Sequence, residues 1–308
     1  MSDPPFGRTV TAMATPFTAT GELDLAGAER LATYLVEKGN DGLVLSGSTG
    51  EAATLTDDER VALWRAVVSA VRVPVVAGAT SNDTAHSVEL VQRAEKAGVA
   101  GVLAVTPYYS RPSQAGIEAH FRAVAGATSL PVVLYDIPVR TGRRISRDTM
   151  LRLAEEVANV VAVKDASGDP ASTARLLAEA PDGFCCYAGD DALTLPLLAI
   201  GAVGLIGVAT HWCAPECGEM IRRFLAGDVV GAREVNAALV ESFAFETSDE
   251  APNPLPTKAV LRVLGLPAGE CRLPLGEAPA GLESVARSVL ARLDAWRHQR
   301  SDTAPTRA

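Results

Sequence analysis

Lys164 stands at the end of the run Val160-Val161-Ala162-Val163, and a lysine there calls for a reason. Three β-branched residues in four make that run a buried strand by composition. A charge at its end is costly unless it is paired or neutralised. The chain has only four lysines, and the other three sit in ordinary places. Lys38 and Lys96 fall just before glycines, as cations in the last turn of a helix do. Lys258 follows Pro254-Leu255-Pro256-Thr257 and opens a helical run. For Lys164 two readings compete. Burial among apolar walls favours the neutral amine, which can attack a ketone and form an imine. Alternatively, Lys164 is structural and pairs with Asp165 or Asp136.

Other residues could serve such an imine. Ser48-Thr49-Gly50 offers hydroxyl and backbone N–H donors for a small carboxylate, or else a simple turn. Tyr135 precedes Lys164 by one predicted strand and could give and take protons there, or serve as a rim aromatic. Arg140 follows a proline turn and could hold a second carboxylate bidentately, or remain a solvated loop charge. Two further clusters carry less. His211, Cys213 and Cys217 have a spacing without a fourth ligand that matches no standard zinc pattern, and read as the start of a helix. Asp190-Asp191 cannot face each other as a catalytic pair and read as caps for the helix that follows.

These residues must be positioned by elements, and the chain repeats one junction three times. A glycine, two residues and a second glycine precede an apolar run at Gly39–Gly42, Gly98–Gly101 and Gly201–Gly204. The first glycine suits a left-handed helix end and the second a tight entry into a strand. Recurrence of this α-to-β junction implies tandem βα units. Eight strands are expected near 8–14, 42–46, 73–78, 101–105, 131–135, 160–164, 184–188 and 203–208. They are apolar throughout, as parallel strands covered on both faces should be. The intervening stretches from Leu25 to Lys38 and from Asp57 to Val71 read as amphipathic helices. The fold class expected is α/β, a (β/α)8 TIM barrel over residues 1–227. A doubly wound sheet is disfavoured because no GxGxxG follows the first strand. A C-terminal extension of three helices, near 228–246, 256–264 and 281–297, makes up 228–298. The polar residues 299–308 are expected to be disordered. In a barrel the chemistry belongs at the C-terminal strand ends, where Ser48, Tyr135, Arg140 and Lys164 all fall.

Composition narrows the class. The chain has 308 residues, 48% hydrophobic and 21% charged, which suits a soluble globular protein. Its net charge of −9 argues against nucleic-acid or anionic-membrane partners. Five cysteines, an odd number, fit a reducing cytoplasm better than a disulfide framework. The N-terminal residues show no signal peptide. Ala192 to Pro215 carries no Asp, Glu, Lys or Arg, yet its glycines and proline divide it into a helical half and a β half, so it reads as two buried elements.

The motifs GSTGEAATL, VTPYY, YDIPVRTG and VKDASG resemble the dihydrodipicolinate synthase family of pyruvate-dependent class I aldolases. The resemblance runs from Thr15-Pro16-Phe17 to Arg272–Leu275, with motif order and spacing kept. It implies condensation of pyruvate with L-aspartate 4-semialdehyde, in lysine and diaminopimelate biosynthesis, without metal or organic cofactor. Lys164 would carry the Schiff base and Tyr135 would relay protons. Ser48 and Thr49 would hold the pyruvate carboxylate, and Ser48 would also link Tyr135 to Tyr109. Tyr109 would reach across a dimer interface, in a tight dimer or a dimer of dimers. Arg140 would bind the aldehyde's carboxylate, and the carbonyls of Gly189 and Ile206 would line the pocket. Ser48 departs from the threonine usual in synthases and matches the sister sialic acid lyases. Tyr108-Tyr109 and Arg140 match the synthases. The alternatives are therefore a sister lyase or dehydratase for 2-keto-3-deoxy acids, or a catalytically silent small-molecule-binding barrel.

The resemblance also places an L-lysine effector site at Ala52, Ala53, Leu55, Asp57, Arg60, Asn82, His86 and Tyr108. His86 stands where regulated members carry a glutamate, so weak or absent inhibition by L-lysine is expected.

Overall fold

The computed structural model describes residues 4–303. Eight parallel strands close into one ring in sequence order, with the last pairing the first. They are β1 (Thr9–Ala12), β2 (Gly42–Leu45), β3 (Val75–Gly78), β4 (Gly101–Val105), β5 (Val132–Asp136), β6 (Val160–Asp165), β7 (Cys185–Ala188) and β8 (Gly204–Gly207). Each falls inside its expected span or runs one residue past it. Outside the ring run α1 (Leu25–Glu37), α2 (Asp57–Ala70), α3 (Thr84–Lys96), α4 (Gln114–Gly126), the one-turn α5 (Pro138–Thr141) and α6 (Arg147–Glu156). There follow α7 (Pro170–Glu179), α8 (Thr194–Ala199) and α9 (Thr210–Leu225). The uncharged stretch splits into α8, β8 and the first residues of α9, three elements where two were expected. Among the described residues no helix is long and apolar enough to cross a membrane.

The repeated glycines do two different jobs. Gly39, Gly98 and Gly201 have φ of 93°, 84° and 109°, the left-handed region that ends a helix. Gly42, Gly101 and Gly204 sit where the strands crowd together: a Cβ on Gly204 would lie 2.3 Å from the Arg8 carbonyl oxygen.

Parity along the strands separates two cores. Val10, Val44, Val133, Tyr135, Ala162, Tyr187 and Ile206 pack together inside the ring. Their neighbours Leu43, Leu45, Val132, Leu134, Val163 and Cys186 pack against the helices. At the N-terminal end Phe6 and Tyr187 fill the ring, and the Phe6 N–H donates to the Tyr187 hydroxyl at 3.2 Å.

Three helices complete the chain: α10 (Val229–Phe245), α11 (Leu255–Val263) and α12 (Leu282–Thr303). They fall where expected, except that α12 runs past residue 297 to Thr303. Part of the expected disordered tail is therefore helical, and residues 304–308 lie outside the described residues. The Arg297 guanidinium on α12 meets Glu216 on α9 at 2.8 Å, and the Trp212 indole donates to Ser242 on α10 at 3.1 Å.

Lys258 is not an ordinary helix-opening lysine. It is fully buried in α11, and its Nζ lies 2.6 Å from Glu51 Oε1, 3.1 Å from the Glu270 carbonyl and 4.2 Å over the Phe17 ring. Burial, the largest influence, lowers its pKa; the Glu51 carboxylate opposes that shift. The Arg272 backbone N–H donates to the other Glu51 oxygen at 2.9 Å, and the Arg272 guanidinium stacks on Phe17 at 4.3 Å. Arg272 also pairs with Glu59 at 2.5 Å. Sequence motifs some 220 residues apart thus meet in one buried ionic cluster.

Breaking a buried pair by removing one partner costs about 3–5 kcal/mol. Lys258→Met should lower the unfolding free energy by about that much, measured by urea titration. Glu51→Gln combined with Lys258→Met should recover part of the loss. A single variant as stable as the parent would show that the pair is dispensable.

Candidate active site

Cross-strand register sets Tyr135, Lys164 and Tyr187 side by side on β5, β6 and β7. Lys164 is 4% exposed, and its Nζ stands 4.5 Å from the centre of the Tyr135 ring. The two carboxylates considered as its partners point the other way, because adjacent strand residues face opposite sides. Asp165 accepts from the Ser167 N–H at 2.8 Å and from the Thr173 hydroxyl. Asp136 accepts from the Ile145 N–H at 3.1 Å and lies 3.5 Å from Arg144. No ion pair to Lys164 occurs among the described residues. The space it occupies is kept open by Gly189, where a Cβ would come within 2.9 Å of Lys164 Cγ.

The loop after β2 brings the hydroxyls. Ser46, at φ 49°, donates to the Gly78 carbonyl at 3.1 Å and accepts from the Trp64 indole at 2.8 Å. Glu51, at φ 55°, ends the turn in the buried cluster with Lys258. Between these anchors, the Thr15 hydroxyl donates to the Gly50 carbonyl at 2.7 Å. Thr49 is buried, and its Oγ1 accepts from the Asn253 side-chain amide at 2.9 Å. Having accepted there, the Thr49 O–H is free to donate elsewhere. Asn253 also accepts through its carbonyl from Arg140 Nη2 at 3.5 Å. One residue between α10 and α11 therefore ties the β2 loop to the β5 loop. Nothing in the local sequence signals this, because Asn253 sits in the Pro-rich loop TSDEAPNPLP.

Ser48, Tyr135 and Arg140 line one cavity of about 320 Å³, together with Thr80, Thr141 and Asn253. Ile206 is buried in the same inner core as Tyr135. Tyr109 is 91% exposed at φ 70°, so its ring is turned away from its own chain.

The two secondary clusters also resolve. Both His211 ring nitrogens serve the backbone: Nε2 accepts from the Ala14 N–H at 3.1 Å and Nδ1 donates to the Val208 carbonyl at 2.7 Å. Burial pushes its pKa down to about 4, and no lone pair remains for a metal. Cys213 and Cys217 are buried thiols 3.7 Å apart. Of the acidic pair, Asp190 does cap the turn after β7, accepting from the Ala192 N–H at 3.0 Å. Asp191 does not. It is buried and accepts from the Val208 and Ala209 N–H groups at 2.9 and 3.1 Å, beside Glu246. The unsatisfied donors at the end of β8 outweigh helix capping for this side chain.

A model of the dihydrodipicolinate synthetase family matches residues 5–290. The chain belongs to that family. The 4-hydroxy-tetrahydrodipicolinate synthase of Acidothermus cellulolyticus is 56% identical over 287 residues, covering 92% of this chain and 90% of its own length. That of Moorella thermoacetica is 52% identical and covers 92% and 97%. A solved dihydrodipicolinate synthase of Bacillus anthracis superposes with a TM-score of 0.90 at 43% identity, covering 94% and 99%. One from Cyanidioschyzon merolae, solved with lysine bound, gives 0.91 at 43%, covering 95% and 99%. In this dihydrodipicolinate synthetase family member, the fold is a TIM barrel with a C-terminal helical part.

Two buried carboxyls should leave a mark on stability. Burial raises Asp136 to about 7 and Asp191 to about 6, from an ordinary value of 3.8. Between those values the native state holds protons that the unfolded chain has released, so stability falls as pH rises through that window. Asp136→Asn keeps an acceptor for Ile145 and removes the titration. Urea unfolding at a series of pH values should give the variant a shallower decline from about pH 4 to 7. Parallel curves would mean that Asp136 is charged throughout.

Proposed function

We propose that this chain is a 4-hydroxy-tetrahydrodipicolinate synthase, a lyase of the class I aldolase type that condenses pyruvate with L-aspartate 4-semialdehyde. The observation that carries the reading is a buried lysine, with no salt bridge among the described residues, set beside a tyrosine at the C-terminal strand ends. The relatives at 56% and 52% identity bear the same name.

In this mechanism the Lys164 amine attacks the keto carbon of pyruvate, and loss of water gives an imine. The adduct then loses a methyl proton to become an enamine. The enamine carbon bonds to the aldehyde carbon of the second substrate. That substrate's amino group displaces Lys164, closing the ring and freeing the enzyme. Tyr135 and Ser48 carry protons to and from these steps, and Tyr109 of a neighbouring copy completes the relay. The Ser48 and Thr49 donors hold the pyruvate carboxylate, with Asn253 fixing Thr49 in the orientation that leaves its proton available. Arg140 receives the carboxylate of the aldehyde substrate, and the Gly189 and Ile206 carbonyls face the pocket. The chemistry needs no metal or organic cofactor. The exposed Tyr109 favours a tight dimer, assembled in pairs as a tetramer. Buried thiols and the biosynthetic role favour the cytoplasm.

Incubation with pyruvate and borohydride should add one reduced adduct per chain on the peptide containing Lys164. Lys164→Ala should abolish it, and labelling of Lys38, Lys96 or Lys258 would refute the mechanism. Arg140→Ala should leave adduct formation nearly intact but weaken use of the aldehyde by about 10- to 150-fold, the worth of a charged bidentate contact.

Feedback by L-lysine should be weak. Asp57, the carboxylate that meets the His86 ring, is held by His86 at 2.8 Å and Arg93 at 3.9 Å. Half-inhibition below about 1 mM L-lysine in a coupled assay would defeat this expectation.

A further inference from the structure

The turn after β7 and the end of α10 bring two carboxyls together at the end of β8. Asp191 is 1% exposed and accepts from the Val208 and Ala209 N–H groups at 2.9 and 3.1 Å. Glu246, just past α10, accepts from the same Ala209 N–H at 3.2 Å and hydrogen-bonds the Asp191 side chain. A hydrogen bond between two carboxyls requires a proton on one of them. The helix ends decide which. Asp191 meets the backbone donors at the N-terminal end of α9, where an anion is favoured. Glu246 caps the C-terminal end of α10, where an anion is disfavoured. The proton therefore belongs to Glu246 and the charge to Asp191. In agreement, burial and then the Asp191 charge raise the Glu246 carboxyl well above its usual range.

This charge stands near the reacting lysine. Gly189, where a Cβ would come within 2.9 Å of Lys164 Cγ, lies two residues before Asp191. Gly207 leaves the carboxylate its room, because a Cβ there would lie 2.4 Å from Asp191 Oδ1. Burial raises Asp191 to about 6, while the Val208 and Ala209 N–H groups, the Glu246 side chain and the Lys164 charge oppose that rise. Other titratable groups face the pair. Asp190, from the same turn, is exposed to solvent, and Cys217 faces Glu246 from α9. On α9, burial holds the Cys213 thiol well above its usual range and keeps His211 neutral above about 4, and Glu216 is paired with Arg297. Lys164 itself is flanked by Tyr135 on β5 and by Tyr187 on β7, whose hydroxyl accepts from the Phe6 N–H.

We propose that Asp191 and Glu246 are positioning residues for the imine step: they share one proton, and so set a single negative charge against Lys164 with no salt bridge to it. The proposal rests on the reading of Lys164 as the imine-forming residue. A full salt bridge would hold the ammonium and oppose attack on the keto carbon, whereas a site without any anion would leave the cationic imine unbalanced. One charge, held back at the end of β8, meets both needs.

The pH dependence of adduct formation tests this. The full chain is incubated with pyruvate and cyanoborohydride from about pH 5 to about 9, and the rate of adduct formation on Lys164 is followed by mass. Asp191→Asn keeps an acceptor for the backbone donors and removes the charge that favours the ammonium. Its acid limb should move to lower pH by about 0.5 unit or more. Glu246→Gln keeps a donor towards Asp191 and leaves the charge in place, so its limb should move less than half as far. An unmoved limb in Asp191→Asn, or equal shifts in the two variants, would overturn the proposal. Infrared spectra give a second reading that needs no Asp191 variant. At about pH 8 the parent should keep a carboxylic acid C=O band that Glu246→Gln loses. Absence of that band from the parent, or its persistence unaltered in Glu246→Gln, refutes the shared proton and the proposal with it. A parent that forms no adduct on Lys164 overturns the aldolase reading and the pair's role together; a parent that forms one, with coincident limbs, overturns the pair's role alone.

Discussion

Charge compensation in a low-dielectric interior is the constraint on which this molecule turns. Two lysines are buried, and among the described residues only Lys258 makes a salt bridge. Lys258 is matched by Glu51 at 2.6 Å, and the pair sits under a knot of Phe17, Glu59 and Arg272. That knot holds the loop after β2 between a left-handed Ser46 and a left-handed Glu51, and so fixes Ser48 and Thr49 at the mouth. A buried ion pair adds little net stability over a hydrophobic substitute, but it demands one geometry.

Lys164 shows the opposite solution. The carboxylates beside it on the sheet, Asp165 on its own strand and Asp136 on the neighbouring one, lie on the outer face of the strands and are occupied by Ile145, Arg144, Ser167 and Thr173. The alternation of strand side chains thus separates the amine from an acid only one residue away. Among the described residues no salt bridge holds this amine, although its charge acts on the buried Asp191 carboxyl. Gly189 keeps its stem unobstructed, and Tyr135 stands over it.

The C-terminal helices belong to the same arrangement. Lys258 and Asn253 both come from beyond the barrel, the first locking the β2 loop and the second joining Thr49 to Arg140. Asp191 and Glu246 meet at the end of β8 in the same manner, with burial and the Asp191 charge raising the Glu246 carboxyl well above its usual range. The helical extension thus supplies polar groups that the barrel loops alone lack.

Much of this was legible in the chain itself. Eight strands, the glycine junctions and three terminal helices follow from local pattern, because helix ends, strand entries and apolar runs are set by residues near one another in sequence. Ser48, Tyr135 and Arg140 share a cavity, with Lys164 beside Tyr135, because a barrel delivers strand ends to one rim. Three features were not legible. Lys258 looked like a surface helix residue, Asn253 like part of a proline-rich loop, and Asp191 like a helix cap. Each acquires its role from a partner far away in sequence: Glu51 for Lys258, Thr49 for Asn253 and the β8 end for Asp191. Local pattern determines which elements form and which face they bury. Which buried charge finds a counter-charge, and which is left without one, is decided only when the ring closes and distant loops meet.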